Sequence, residues 1–128
     1  MDTITSQGKE AGPDPDAGPQ HVPVNMFETT EALVLVAAMP AVQAEDISIE
    51  VTETMVRLTA ELRSAAPKDY LVHEWSYGGY ARDLVLPDGF DGPVSASFGN
   101  GQLAVRIMRD GARSGASVVV EPADAHAD

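Results

Sequence analysis

Tyr77-Gly78-Gly79-Tyr80-Ala81-Arg82-Asp83-Leu84-Val85-Leu86-Pro87, followed by Ala96-Ser97-Phe98-Gly99-Asn100-Gly101-Gln102-Leu103, is the most informative stretch of this chain. Its first half opens on glycines, alternates, and is stopped by a proline that cannot donate to a sheet ladder. Its second half is a pair of strands around Asn100-Gly101, and Asn-Gly between alternating runs is the strongest short hairpin signal because both residues tolerate positive φ. One residue breaks the pattern. Alternation puts Arg82 on the same face as Tyr80 and Leu84, where a charge requires a partner.

The same period of two runs upstream and downstream. Ile47, Ile49 and Val51 alternate with Ser48 and Glu50; Val56, Leu58, Ala60 and Leu62 alternate with Arg57, Thr59 and Glu61; Leu103, Val105 and Ile107 oppose Ala104 and Arg106. Leu33 to Ala38 is apolar on both faces, as a central strand of two packed sheets would be. Turns fall at Met39-Pro40, Pro87-Asp88-Gly89, Asp91-Gly92-Pro93 and Asn100-Gly101, and Ala41 to Asp46 leaves room for one helical turn. About seven short strands with frequent turns read as an all-β, immunoglobulin-like two-sheet β-sandwich. Residues 1–21 hold little to bury and are expected to be a disordered arm. The sandwich is expected from Val22 to Asp110, and residues 111–128 form a flexible tail relieved by Val118-Val119-Val120.

Composition narrows the function. The 128 residues suit one core. A net charge of −12 with eight Lys and Arg argues against nucleic acid, whose binding rests on basic side chains releasing counterions, and against an anionic membrane surface. With no cysteine, disulfides and thiolate metal sites are excluded. The N-terminus shows no basic region followed by an apolar run, and Ala32 to Val42 is too short to cross a bilayer; a cytoplasmic protein is expected. His21, His73 and His126 lack a second histidine at metal-binding spacing. There is no Gly-x-Ser-x-Gly, and Gly78-Gly79 and Gly99-x-Gly101 do not lead into a phosphate-binding helix. Neither catalytic nor metal residues are expected, nor a cofactor.

The opening stretch resembles the signature of the small heat-shock, alpha-crystallin-type proteins. Tyr77-Gly78-Gly79-Tyr80-Ala81-Arg82 with Leu86-Pro87 is similar to their Tyr-Gly-x-Phe-x-Arg and Leu-Pro; Ala96 and Asn100-Gly101-Gln102-Leu103 are similar to their Ala and Asn-Gly-x-Leu. Upstream, Met39-Pro40-Ala41-Val42 with Glu45-Asp46-Ile47 resembles Leu-Pro-Gly-Val and Glu-Asp-Ile, and Leu58-Thr59-Ala60-Glu61 resembles a Leu-x-Ile-x-Gly-Glu strand end. Ala41 and Ala60 stand where the family usually has glycine, and the N-terminal arm lacks the family's aromatic residues.

The resemblance implies an alpha-crystallin domain acting as an ATP-independent holdase, which binds partly unfolded client proteins and limits their aggregation. The alternative is a non-catalytic interaction module, co-chaperone-like or scaffold, that docks one folded partner. It also implies an edge groove lined by Ile47, Ile49 and Val51 on one strand and Val94, Ala96 and Phe98 on another. Val118 and Val120, which point the same way in an extended chain, would fill it. Burying two valines contributes roughly 3–6 kcal/mol before ordering costs. The tail segment adds to a neighbouring chain's sheet edge, adds to its own, or stays disordered. A homodimer or small homo-oligomer is implied, with Tyr70, Leu71 and Val72 on a loop (residues 63–73) that exchanges between partners or packs on itself. Arg82 would lie near that interface, with Asp69 and Glu74 as candidate acidic partners.

Overall fold

The computed structural model of the chain describes residues 20–61, 69–74 and 79–123. Ten strands form two five-stranded sheets. In chain order they are β1 (Gln20–His21), β2 (Val24–Glu28), β3 (Ala32–Ala38), β4 (Ile47–Val51), β5 (Met55–Ala60), β6 (Tyr80–Val85), β7 (Val94–Gly99), β8 (Gln102–Met108), β9 (Ser117–Val118) and β10 (Val120–Pro122). One sheet runs β9-β4-β5-β6-β1, the other β10-β7-β8-β3-β2. The all-β sandwich read from the alternation is the architecture found.

The period-two pattern sorts side chains as strand geometry requires. In β4, Ile47, Ile49 and Val51 are buried while Ser48 and Glu50 face out; β8 buries Leu103, Val105 and Ile107. β3, apolar on both faces, sits between β2 and β8, and its register runs from Ala32↔Met108 to Ala38↔Gln102. Leu33, Leu35, Val56, Leu58 and Phe90 complete an apolar interior in which, among the described residues, no buried side chain is polar or charged. Phe90 lies just beyond Leu86-Pro87, so the proline stop carries the chain across the end of the core.

Turn chemistry follows the sequence closely. Asn100 and Gly101 take φ of 53° and 74° and join β7 to β8 below the Gly99↔Gln102 pair, the positive-φ hairpin that Asn-Gly favours. Met39 donates its N–H to the Gly101 carbonyl at 2.9 Å, and the Tyr80 hydroxyl donates to the Pro40 carbonyl at 2.9 Å, which fixes the turn after β3 against both sheets. The expected helical turn is a short 3-10 helix over Ala44–Asp46, where the Gln43 N–H donates to Asp46 Oδ2 at 2.9 Å.

Ala41 has a φ of 66°, a conformation in which an L side chain crowds the following carbonyl. This position is where the resembled family usually carries glycine. Ala41→Gly is therefore expected to stabilise the fold by roughly 0.5–1 kcal/mol: relief of about 1–2 kcal/mol of left-handed strain, partly offset by the greater freedom of glycine in the unfolded chain. Thermal unfolding checks it. A lowered midpoint would show that Ala41 is not strained.

Candidate functional site: an edge groove and its own tail

At one end of the sandwich, β4 and β7 present the inner edges of opposite sheets. Alternation brings Ile47, Ile49 and Val51 together with Ala96 and Phe98 in the buried cluster, with Val94 half-buried against it. The tail lies across this edge, in its own chain. Ser117 and Val118 pair antiparallel with Glu50 and Ile49 of β4; one residue later Val120, Glu121 and Pro122 pair parallel with Ala96, Ser97 and Phe98 of β7. One extended segment thus bridges both sheets, and hydrogen bonds hold its ends: Val51 N–H to the Ala116 carbonyl at 2.8 Å and Ala123 N–H to the Phe98 carbonyl at 2.7 Å.

Val118 and Val120 pack against the core, whereas Val119 is 78% exposed, as side chains alternate in an extended segment. Backbone pairing supplies direction and register, and two small apolar side chains supply burial. Gly99 admits the end of the segment, because a Cβ there would come within 2.8 Å of the Ala123 Cβ. The arrangement is chemically a peptide-binding groove: main-chain hydrogen bonds plus shallow pockets for alternate side chains.

The linker from β8 to this segment is fastened to the turn that feeds β7. Arg113 Nη1 donates to the carbonyls of Phe90 at 3.0 Å and Gly92 at 2.7 Å. Gly111 and Gly115 take φ of 99° and 114°, which lets the linker double back. The Arg109 guanidinium sits 4.4 Å over the Phe90 ring and its Nη2 bonds Glu28 Oε1 at 2.7 Å. Sequence spacing points to none of these arginine contacts. Most of the groups that receive them are backbone carbonyls or a ring, to which position along the chain gives no clue.

The other residues singled out by sequence lie elsewhere. Leu71 is 86% and Val72 58% exposed, while the Tyr70 ring stacks on His73 with centroids 4.2 Å apart. Residues 63–68 of the loop expected to exchange lie outside the described residues, as do residues 1–19 of the arm, Leu62, Tyr77, Gly78 and His126. Arg82 is half-buried on the inner side of β6, and its Nη1 donates to the Val22 carbonyl at 2.6 Å. His21 lies exposed on β1. Among the described residues no group of three His, Asp or Glu side chains is placed to hold a metal ion. On the solvent face of the same sheet, Arg57 forks onto Asp83, Nε to Oδ1 at 2.9 Å and Nη2 to Oδ2 at 3.3 Å. That hydrogen bonding, with the attraction of opposite charges, holds the Asp83 carboxyl below its usual range and raises Arg57. The pair is solvent-exposed, so its contribution to stability is small.

The fold and the groove have counterparts among known proteins. The Hsp20/alpha crystallin family matches residues 25–120, from β2 through the first residue of β10. The chain belongs to the Hsp20/alpha crystallin family. It is 33% identical over 97 residues to spore protein SP21 of Stigmatella aurantiaca (71% of this chain, 57% of that protein) and 28% identical over 94 residues to the 18 kDa antigen 1 of Mycobacterium avium (72% and 64%). The chain thus spans less than two thirds of the length of these relatives. Among solved structures it is similar to hspA from Xanthomonas axonopodis, with a TM-score of 0.65 at 24% identity, covering 75% of this chain and all of that one. It also resembles a small heat-shock protein from Xylella fastidiosa, with a TM-score of 0.61 at 24% identity, covering 73% of this chain and 89% of that one. At these identities the two structures share the fold of this Hsp20-family domain. No helix among the described residues is long and apolar enough to cross a membrane.

Proposed function

We propose that this Hsp20-family protein is an ATP-independent holdase of the cytoplasm that binds partly unfolded proteins and limits their aggregation without a cofactor. The observation that carries this reading is the β4–β7 edge. It accommodates an extended segment through backbone pairing and two small apolar side chains two residues apart. Unfolded chains offer such segments in abundance, and main-chain recognition is indifferent to most of their sequence. Ile47, Ile49, Val51, Val94, Ala96 and Phe98 are the contact residues of this groove, and Val118 and Val120 are its tail motif. Exposed Leu71 and Val72, with Met26 and Phe27 on the outer strand β2, add apolar surface of the kind that partners cover. The net charge of −12 keeps a loaded complex soluble.

Two copies pair, in this proposal, through the loop bearing Tyr70, Leu71 and Val72, with Arg82 near the interface; the strong exposure of Leu71 and Val72 supports it. A second reading, a module that docks one folded partner, is favoured by the tail already lying in the groove, since an occupied groove suits selective displacement better than broad capture.

Light scattering of a heated test client separates the two. Suppression of scattering near a stoichiometric ratio is expected of the holdase. Full aggregation at several-fold excess of this protein would exclude that activity and leave the docking module.

A further inference from the structure

We infer that the groove is held shut in cis by its own tail, and that Arg113 is the positioning residue that sets how readily it opens. A second polypeptide then enters only by displacing Ser117–Pro122, and the partner that fits is an extended segment with small apolar residues at alternate positions. This goes beyond the proposed holdase activity, because it concerns access to the groove and not what the bound protein gains.

Tethering is what keeps the tail in its own groove. β8 ends at Met108, where the turn opening β7 is already tied to it: Gly92 N–H donates to the Met108 carbonyl at 2.8 Å and Met108 N–H to the Pro93 carbonyl at 3.0 Å. Arg113 then joins the linker to the same turn through the Phe90 and Gly92 carbonyls. Gly111 packs there as well, its position leaving 3.1 Å between a notional Cβ and Pro93 Cδ. A linker fastened to residues 90–93 delivers residues 116–122 beside the strand those residues feed, β7 of the same chain. Val118 and Val120 are then present at the groove at an effective concentration on the order of millimolar, as for a short linker. The apparent affinity of a free segment falls by the fraction of grooves left empty. Freeing Arg113 removes two charge-assisted hydrogen bonds from the closed state only, and the geometry of the groove is left alone.

The test uses the full chain and a fluorescein-labelled peptide of residues 116–123, titrated by fluorescence anisotropy. Wild-type protein is expected to bind it weakly. Arg113→Ala is expected to tighten binding roughly tenfold, Arg113→Lys to give an intermediate value, and Val118→Ser with Val120→Ser to tighten it at least as much as Arg113→Ala. Sedimentation velocity is expected to give the same mass for wild type and the double serine variant. The inference is overturned if peptide affinity is equal in all four proteins, or if the double variant sediments as a smaller species, which would show the tail bridging neighbouring chains. The double variant retains Arg113 and Arg113→Ala retains the valines, so a folding defect in one leaves the other informative. No client is present in either measurement, so the position of the tail is tested even in a protein that fails to suppress aggregation.

Discussion

Gly92→Ala is expected to lower the thermal midpoint by about 10–20 °C. Gly92 is buried, and a Cβ there would collide with the backbone oxygens of Asp110 and Met108 and with Met108 Cβ. Two of these obstacles are main chain, which cannot rotate aside, so β8 and the turn would have to separate. Separation breaks the reciprocal Gly92–Met108 and Met108–Pro93 hydrogen bonds and pulls one acceptor from Arg113. Overpacking with a forced backbone shift costs roughly 2–4 kcal/mol, and each kcal/mol moves the midpoint of a domain this size by about 4–8 °C. Gly89→Ala is the control. Gly89 has φ of 97° but its nearest neighbour is the Arg109 side chain at 3.7 Å, so only local strain of about 1–2 kcal/mol is added. Circular dichroism melts of both variants check the comparison, and a Gly92→Ala midpoint within two or three degrees of wild type would show that the turn is loose.

The same glycine marks the limit of what the sequence discloses. Asp91-Gly92-Pro93 reads as a turn from composition, and a turn is there. That the chain must also pass residues 108–110 at van der Waals distance is a long-range fact, invisible in a local window. Where a strand has five or more alternating residues, as in β4, β5 and β8, the buried face can be read directly, because a one-residue slip would expose all of it. β1 and β9 each have two residues, too few for any period, and their strand character comes entirely from the partner they meet.

For the groove, legibility divides along the same line. Its six lining residues follow from the alternation within β4 and β7 and from the resemblance that pairs those strands. Val118 and Val120 stand out as apolar residues in a polar tail, and their need for a burial partner is plain from that contrast. Which chain supplies the partner depends on where residues 109–116 are tied, and the ties are Arg113 to carbonyls and glycines in the left-handed region. Arginine bonding to carbonyls leaves no pattern in a single sequence.

Arg82, the misfit in the opening stretch, yields the second large effect. Arg82→Met is expected to cost roughly 1–3 kcal/mol, the penalty for leaving a buried acceptor without its donor, and to lower the midpoint by about 5–15 °C. Methionine keeps the apolar stem that packs beside Tyr80 and Leu84 but cannot donate to the Val22 carbonyl, now 2.6 Å from Nη1. Val22 itself is 1% exposed, so water does not readily take the donor's place. The local consequence is specific. β1 is joined to β6 by the short parallel pairing of Gln20 and His21 with Tyr80 and Ala81, supported by Gln20 N–H to the Gly79 carbonyl at 2.6 Å. Losing Arg82 frees this strand first, and hydrogen exchange at residues 20–22 is expected to rise well before exchange in β5 or β8. Analytical ultracentrifugation on the same variant separates the two roles assigned to the residue. A loss of stability with the dimer constant unchanged would make Arg82 a staple for β1 and remove it from the proposed interface. A weakened dimer with normal melting would do the reverse, because a side chain buried only between two subunits does not stabilise either one alone.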